Sequence, residues 1–297
     1  TQGDRTMRRG RYYLARVIKL GELNQAKLLD AIVEAPTVAV GQFEWTITDV
    51  IDMRNATTPF VFGNLAKYSK EGKVKVVDEA SKHQLQAQAR NLLEASAPFV
   101  YLPQFSGLTF LHVWNGIQED VFPRRFKAII EAAYNNFFVD CTVEPVADYR
   151  AFLQKLRSLD KITELSAKVH PPNPLFGRLW GSLDEYVKKR QADEVSVREK
   201  TEKPHGLSTQ LLVLIQNVLE NPKYEPRQIP DITDAAMLMA ADGYGFGKAV
   251  GTDGEVVVRT SESQKSFLFE KEPEPELLAK AAQAQFERVS TERDMKH

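Results

Sequence analysis

The segment from residue 137 to residue 174 constrains the fold more than any other part of the sequence. Apolar and polar residues alternate over FFVDCTVE, which predicts a strand with one buried face and one more polar face. After Pro145, apolar residues recur at helical spacing from Tyr149 to Leu156. Alternation then returns over TELSAKVH. This order predicts a β-α-β unit.

The second strand of this unit ends abruptly at the prolines of HPPNP, residues 170–174. Proline has no N–H to donate to a strand ladder, and it favours an extended backbone in the residue before it. The prolines therefore predict the end of a strand and not a chemical site. Because the two strands need not be neighbours, we expect a split β-α-β unit with another strand between them, as in ferredoxin-like domains.

Short alternating or β-branched runs dominate the chain before this unit. They predict the strands of an antiparallel sheet, with a hairpin around residues 105–107, whereas SKHQLQAQARNLLEASA is compatible with a short helix. After the unit, AAMLMAADGYG, EVVVRTSES and KSFLFEK resemble strands, and PELLAKAAQAQFERV is typical of a C-terminal helix.

These elements predict an α+β protein with two domains. Residues 1–136 would form an N-terminal domain built on an antiparallel sheet. Residues 137–297 would form a C-terminal α+β domain that contains the split β-α-β unit and the C-terminal helix.

The composition indicates a folded protein outside the membrane. The chain has 297 residues, of which 43% are hydrophobic, so it can build a substantial core. No apolar run approaches the roughly 20 residues of a membrane helix. Cys141 is the single cysteine, which excludes an intramolecular disulfide, and no basic-then-apolar leader is visible. We expect a cytoplasmic protein.

Patterns of known catalytic and cofactor sites are missing from the sequence. In GYGFGKAVG, Lys248 is followed by Ala249 and by strand-like residues, whereas a phosphate-binding loop needs Ser or Thr and then a helix. The five histidines are isolated from one another, which does not match the spacing of zinc ligands. We therefore expect no metal and no cofactor, and a binding protein is favoured over an enzyme with an unrecognised site.

Basic clusters are the positive signal. The net charge is only −1, but the first 20 residues are strongly basic and the end of the chain is acidic. Clustered cations that converge on one groove would bind phosphates independently of sequence, and tyrosines beside them could stack on unpaired bases. The residues predicted to contact nucleic acid are Arg8, Arg9, Arg11, Tyr12, Tyr13, Arg124, Arg125, Lys127, Lys188, Lys189 and Arg190, with Lys73 and Lys75 at the margin of the surface. For each cluster alone, an ordinary solvated surface is the simpler interpretation.

From about residue 98 onward, the order of elements resembles the A component of the prophage Rex exclusion system and related bacterial proteins found beside phage-defence genes. The stretches that carry the resemblance are FVYLPQFSGLTFLHVWNG, FFVDCTVEPV, ELSAKVHPPNPLFGRLWGSLDEY, DITDAAMLMAADGYG and ELLAKAAQAQFERV. The resemblance implies a dimeric, largely sequence-nonspecific DNA-binding protein that senses phage replication and signals to a partner. It carries no residue-level motif.

Two functions follow as alternatives. The first is a component of a bacterial phage-defence or exclusion system that binds nucleic acid, with DNA as the expected form and other subunits of a defence complex as further partners. The second is a protein-interaction or scaffold subunit of a bacterial complex, whose basic clusters are solvated surface. A homodimer is expected from the resemblance and from the wide apolar coverage of LLVLIQNVL, although burial of this helix between the domains is the simpler interpretation of that coverage.

Overall fold

The computed structural model describes residues 8–172, 178–251 and 256–293, and within these ranges it contains two antiparallel sheets. The predicted α+β class is confirmed. Pro174, the last proline of the HPPNP stretch, lies outside the described residues. The elements are β1 (Arg9–Gly21), α1 (Gln25–Val33), β2 (Val38–Val40), β3 (Phe43–Met53), β4 (Phe60–Val77), β5 (Gln84–Leu102), β6 (Gly107–Leu111), α2 (Val121–Ala132), β7 (Val139–Pro145), α3 (Tyr149–Arg157), β8 (Ile162–Val169), α4 (Gly181–Arg190), β9 (Val195–Lys200), α5 (Leu211–Glu220), α6 (Ile232–Met239), β10 (Gly245–Gly251), β11 (Val256–Arg259), β12 (Ser266–Glu270) and α7 (Pro275–Glu292).

Strand β1 organises the larger, eight-stranded sheet. One edge of β1 pairs with β6, and β5, β4, β3 and β2 follow in that order. The other edge pairs first with β12, as far as Tyr13, and then with β7, from Ala15 onward. Two strands that lie far apart in the sequence thus share one edge of a single strand.

The two faces of the larger sheet pack against different layers. On one face, Ala15 and Val17 of β1 join a core with α1 and α2. On the other face, Tyr12 and Leu14 join the core of the second layer. This alternation along β1 is the period of two that places successive side chains on opposite faces.

The second layer contains the sheet β11-β10-β8-β9 together with α3, α4, α5 and α6. The glycine-rich run that a phosphate loop would have used is strand β10 at the centre of this sheet. A Cβ at Gly245 would overlap the carbonyl oxygen of Lys168 on β8. The glycine therefore allows close approach of two strands.

The predicted split β-α-β unit is wrong in its sheet assignment. Strand β7 pairs with β1 in the larger sheet, whereas β8 pairs with β9 and β10 in the smaller one. Helix α3 therefore connects two sheets and does not cross over a single one. The chain changes layers just after β7, where Val146 N–H donates to Leu14 O and Ala147 N–H donates to Ala241 O.

Strands from beyond the predicted domain boundary at residue 136 also enter the larger sheet. Both β7 and β12 lie after that boundary, and both pair with β1. Two elements also differ in type from the prediction. The stretch SKHQLQAQARNLLEASA, predicted as a short helix, contributes most of its residues to strand β5. The stretch AAMLMAADGYG, predicted as a strand, forms the end of α6 and a π-helical turn at Ala240–Tyr244.

The long hairpin of β4 and β5 extends beyond the rest of the larger sheet. Strand β3 pairs with β4 only as far as Tyr68, and β6 pairs with β5 only from Phe99 onward. Residues 69–77 and 84–92 pair with each other and with no other described strand. We call these two segments and the turn between them the arm.

Candidate nucleic-acid interface

One face of the arm is polar and basic. The register pairs Lys73 with Gln88, Lys75 with Gln86, and Glu71 with Arg90. Directly paired residues of an antiparallel ladder project to the same side. Eight side chains therefore share this face, which we call the basic face, and Val77, 65% exposed, is its apolar member: Glu71, Lys73, Lys75, Val77, Gln84, Gln86, Gln88 and Arg90.

The opposite face of the arm is apolar. It carries the pairs Gly72–Ala89, Val74–Ala87 and Val76–Leu85. Val76 is 41% exposed and Leu85 is 50% exposed, so the outer part of this face has no cover among the described residues. The arm thus has two chemically distinct sides.

The cations of the basic face are free of acidic partners. Lys73, Lys75 and Arg90 are exposed, and none of them forms a hydrogen bond or ion pair with any described residue. A surface ion pair with a carboxylate would have to be broken before a phosphate could bind. These three side chains need no such step, so their donors are available to an anionic partner.

The turn at the tip of the arm is held by Asp78. Its Oδ1 accepts hydrogen bonds from the backbone N–H groups of Ala80 (2.9 Å) and Ser81 (3.4 Å), and its Oδ2 accepts one from Ser81 Oγ at 2.8 Å. These bonds, that of the Ser81 hydroxyl first, lower the pKa of the Asp78 carboxyl. The carboxylate thereby fixes the turn that joins the two strands.

The base of the arm carries a further cationic and aromatic cluster. Lys67 lies on β4 just before the arm begins. Its Nζ is 3.9 Å from the centre of the Phe43 ring. The guanidinium carbon of Arg125, on α2, is 5.3 Å from the centre of the neighbouring Trp45 ring. Arg125 is thus the α2 cation that lies beside the sheet face leading to the arm.

The other two predicted cations of α2 have carboxylate partners. Arg124 Nη2 is 2.8 Å from Asp120 Oδ2. Lys127 Nζ is 2.5 Å from Asp140 Oδ1 and 3.1 Å from Glu131 Oε1. Burial lowers the pKa of Lys127, but the hydrogen bonds to both carboxylates raise it overall. These cations are already neutralised within the chain.

The predicted cluster on α4 lies in the second layer and not on the larger sheet. Lys188 Nζ is 2.7 Å from Asp184 Oδ2, one helical turn earlier. The guanidinium of Arg190 lies 5.9 Å from the centre of the Tyr186 ring, and Lys189 is exposed. The α4 cluster and the arm therefore belong to different layers of the protein.

The start of β1 borders a separate groove of about 1040 Å³. Arg9 and Arg11 line it together with Lys271 and Trp114. Trp114 is 79% exposed, which is unusual for so large an apolar side chain. We call this the Trp114 groove. Arg8 is exposed beside Arg9, and Arg11 Nη1 donates to Ser266 Oγ at 2.8 Å.

The tyrosines predicted to stack on bases are not on the surface of this groove. Tyr12 is completely buried, its hydroxyl donates to Glu270 O at 2.7 Å, and its ring stacks on Phe267. The prediction that Tyr12 stacks on a base is therefore wrong, because the alternation of side chains along β1 directs Tyr12 into the core. Tyr13 is half-buried against Phe110. The exposed ring that the prediction missed is Trp114.

The basic face of the arm had a visible signal in the sequence. QLQAQAR alternates polar and small or apolar residues without interruption, and so does KVKV. A strict period of two over seven residues favours a strand. The same stretch was interpreted as compatible with a short helix, and that interpretation was wrong.

Within the described ranges, no group of three or more His, Cys, Asp or Glu side chains is placed to hold a metal ion. None of the helices in those ranges is long and apolar enough to cross a membrane.

Comparison with protein families gives one match. Residues 26–220, more than half of the chain, match the model of a family described as a domain of unknown function, DUF4747. The chain belongs to this family. No curated protein matches it. The matched region includes the whole arm and α2, α3 and α4.

Proposed function

We propose that this protein binds DNA without strong sequence preference and that the basic face of the arm is its principal contact. The observation that carries the proposal is a projecting two-stranded ribbon with three unpaired cations and three glutamines on one face. A two-stranded β-ribbon is narrow enough to enter the major groove of duplex DNA. Lysine and arginine contact phosphates, and glutamine adds neutral donors and acceptors.

Two further features support this assignment. Lys67 and Arg125 extend the cationic surface from the arm toward α2. The Trp114 groove adds Arg9, Arg11 and Lys271 around an exposed indole ring. A cationic groove with an aromatic platform is typical of surfaces that bind single strands. The arm would hold duplex DNA, and the groove would hold an unpaired segment.

The biological setting is proposed from the sequence resemblance alone. Similarity to the A component of the Rex exclusion system supports a DNA-binding role in phage exclusion, in the bacterial cytoplasm, with a partner protein downstream. Homodimerisation belongs to the same proposal. The apolar coverage of helix α5 does not support a dimer, because most of its apolar residues are used within the chain. Leu211, Leu214, Ile215 and Val218 are buried, and Val213 is the exposed apolar residue of the helix.

The second candidate, a protein-interaction subunit, is favoured by the apolar face of the arm. Val76, Leu85 and the neighbouring Leu93 (57% exposed) would be covered by a protein partner and not by nucleic acid. The two functions differ in which face of the arm they use. Substitutions on one face therefore separate them.

The experiment is a fluorescence anisotropy titration with duplex and single-stranded oligonucleotides of several unrelated sequences. The test variant carries Lys73→Ala, Lys75→Ala and Arg90→Ala. The control variant carries Lys168→Ala, Arg259→Ala and Lys280→Ala, which removes the same charge from exposed positions outside the arm.

We expect the arm variant to bind all duplexes more weakly, by a factor of at least 10, and the control to bind like the parent. Equal weakening in both variants would mean that only the net charge matters. Undiminished binding by the arm variant, or no binding by the parent to any oligonucleotide, would contradict the proposal and favour the protein-interaction function.

A further inference from the structure

A second cleft, of about 950 Å³, lies along one edge of strand β1. All six residues from Arg16 to Gly21 border it. Successive side chains of a strand point to opposite faces of a sheet, so a cleft that touches six consecutive residues runs along the edge of the strand and not over one face. No residue of β7, which pairs with the other edge, borders the cleft. The cleft therefore follows the edge of β1 that β6 occupies earlier in the strand.

This edge of β1 loses its partner after Val17. Strand β6 pairs with β1 as far as Arg16, and the Val17 N–H then donates to Ser106 O at 2.8 Å. The Ser106 N–H does not return the bond, because it donates to Pro103 O. Among the described strands, only β7 pairs with residues 18–21. The edge of β1 is thus free where it borders the cleft.

The backbone N–H and C=O groups of Lys19 point to this free edge. Backbone groups of alternate residues in an antiparallel strand point to the same side. Leu14 N–H donates to Lys265 O, next to β12, whereas Val17 N–H donates to the opposite side, next to β6. Lys19 belongs to the same alternate set as Val17. Its N–H and C=O therefore point away from β7 and toward the cleft, where no described strand pairs with them.

The side chain of Lys19 leans toward the same edge. Its Nζ donates to Ser106 Oγ at 3.0 Å, and Ser106 lies across from Val17 and borders the cleft. No carboxylate of a described residue contacts this ammonium group. Burial lowers the pKa of Lys19, and a negative charge nearby would favour its protonated form. The free edge thus carries a cation without an acidic partner.

The opposite wall of the cleft belongs to the second layer. It includes an apolar part formed by Pro171, Pro172 and Val187. The prolines that end the second strand of the opening segment thus border a cavity, and without N–H groups they cannot donate to the free edge of β1. Ile18 and Leu20 lie on the same face of β1 as Arg16, which donates to Asp242 O in the second layer. That face of β1 is therefore the one turned toward this wall.

We infer that the free edge of β1 binds an extended peptide segment of a partner protein, which adds to the larger sheet as a short strand. The backbone N–H and C=O groups of a peptide complement those of Lys19, as in other complexes that form by strand addition. Backbone groups that face a cleft need hydrogen-bond partners, and a strand supplies both a donor and an acceptor at the right spacing.

The same geometry specifies the side chains of the peptide. The peptide residue opposite Lys19 projects to the same face as Lys19, and opposite charges in such a cross-strand pair are favourable. The residues before and after it project with Ile18 and Leu20 toward the apolar part of the second-layer wall. The acidic side chains of the cleft, Asp184 and Asp193, belong to that wall and not to the Lys19 side. The peptide that fits best has an acidic residue between two apolar residues.

This site is separate from the arm, and it does not depend on the DNA-binding proposal. The cleft is bordered by β1, α4 and the end of β8, whereas the arm is formed by β4 and β5. Variants of the arm and variants of β1 therefore test the two proposals independently.

The first measurement needs no ligand. Amide hydrogen exchange, followed by NMR in the free protein, compares Lys19 with Ile18. The Ile18 N–H points to β7, where Ile18 is paired with Thr142, so it should be protected. The Lys19 amide should exchange at least tenfold faster, because it has no ladder partner. Equal protection of the two amides would show that this edge is already covered and would overturn the inference.

The second measurement titrates isotope-labelled protein with the capped peptide Ser-Thr-Val-Glu-Val-Thr-Ser. The comparison peptides have Lys or Val in place of Glu, or carry an N-methyl group on the Glu nitrogen, which removes a ladder donor. The test variant is Lys19→Met, which removes the charge and keeps a side chain of similar length. Lys280→Gln, at an exposed lysine on α7, is the matched control. The arm variant Lys73→Ala, Lys75→Ala, Arg90→Ala distinguishes this site from the DNA surface.

We expect the Glu peptide to shift the amide signals of residues 17–21. N-methylation of the peptide, or Lys in place of its Glu, should weaken binding at least tenfold. Lys19→Met should abolish the preference for the Glu peptide over the Val peptide, and the Lys280 and arm variants should bind like the parent.

The inference is overturned if no peptide shifts these signals, if the N-methylated peptide binds as tightly as the original, or if Lys19→Met keeps the preference for Glu. Loss of peptide binding in the arm variant alone would place the peptide on the arm and would also contradict the inference. Shifts of the same signals with protein concentration, without any peptide, would replace the partner peptide by a second copy of this chain.

Discussion

The Nη1 atom of Arg293 lies 2.5 Å from Oδ1 of Asp242, and neither side chain is more than 2% exposed. The same carboxylate oxygen accepts a hydrogen bond from the Tyr149 hydroxyl at 2.8 Å. Burial raises the pKa of the Asp242 carboxyl, and Arg293 offsets part of that rise. This pair joins the end of α7, the π-helical turn and α3 in the core of the second layer.

Replacing Arg293 by Met should therefore destabilise the protein strongly. It removes the partner of a buried carboxylate, which typically costs about 3–5 kcal/mol of unfolding free energy. The measurement is urea unfolding at pH 7. Arg288→Met is the control, because Arg288 is exposed on the same helix and its loss should change stability by less than about 0.5 kcal/mol.

The double variant Asp242→Asn, Arg293→Met tests whether the two residues act as a pair. We expect it to lose clearly less stability than the sum of the two single variants, since the second change removes a charge that the first left unpaired. Strict additivity would contradict the description of this contact as a coupled buried ion pair.

The ion pairs of Glu164 predict that the free energy of unfolding depends on pH. Its side chain is 8% exposed and lies 2.8 Å from Arg198 Nη2 and 3.1 Å from Lys248 Nζ. The Arg198 hydrogen bond, together with Lys248, lowers the pKa of the carboxyl despite burial. A depressed folded-state pKa adds stability above the unfolded-state pKa, near 4.3, and that contribution is lost as the pH falls through the folded-state value.

Glu164→Gln should accordingly be less stable than the parent at pH 7, by about 1–2 kcal/mol. The deficit should shrink as the pH falls below the unfolded-state pKa near 4.3, because the carboxyl is then protonated first in the unfolded parent and, at still lower pH, in the folded parent. Urea unfolding of both proteins between pH 3 and pH 7 measures this. A deficit that stays constant over the whole range would show that the charge of Glu164 has no part in the effect.

The exposure of Trp114 predicts that its replacement weakens the binding of single-stranded DNA more than the binding of duplex DNA. Its ring is exposed beside His112, with the two ring centres 4.8 Å apart, on a groove that Arg9 and Arg11 line. Loss of one base-stacking aromatic typically costs about 1–3 kcal/mol of binding free energy. Trp114→Ala should weaken single-strand binding by that amount and duplex binding much less.

Phe137→Ala is the matched control for this substitution. Phe137 is 69% exposed but does not line the groove, so its loss should leave both affinities unchanged. Equal effects of the two variants, or an equal effect of Trp114→Ala on both forms of DNA, would remove the groove from the binding surface.

Local sequence patterns predicted several elements because packing agrees with local preference there. Helix α3 is an example: Tyr149, Phe152, Leu153 and Leu156 share one face by spacing, and all four are buried. The hairpin of β5 and β6 was also predicted correctly, around a turn at residues 105–107. In both cases neighbouring residues along the chain contain the whole signal.

The sheet assignments could not be predicted in the same way. The alternation of β7 shows that it is a strand, but its partner β1 lies more than 100 residues earlier and nothing local identifies it. Residues 235–244 are almost entirely buried and therefore apolar on all sides, so no helical stripe is visible in α6. Tyr12 was misassigned for a related reason, since charge clustering does not show which way a strand residue points.

The candidate site was predicted in part. The cluster at Lys73 and Lys75 is exposed and unpaired, whereas Arg124 and Lys127 proved to be bound to carboxylates. Asp120 is close to Arg124 in the sequence, but Asp140 reaches Lys127 only through the fold. Arg16 was part of a basic run in the sequence, and its burial beside Asp242 and a cleft required tertiary structure.

The most direct test of the DNA-binding account is the salt dependence of duplex affinity for the parent and for the Lys73→Ala, Lys75→Ala, Arg90→Ala variant. Each phosphate contact that is lost should reduce the slope of log affinity against log salt by about 0.7–0.9. The account predicts a slope that is shallower by about 2–3 in the triple variant, for every duplex sequence alike. An identical slope in the two proteins, or parent binding that does not respond to salt, would contradict it.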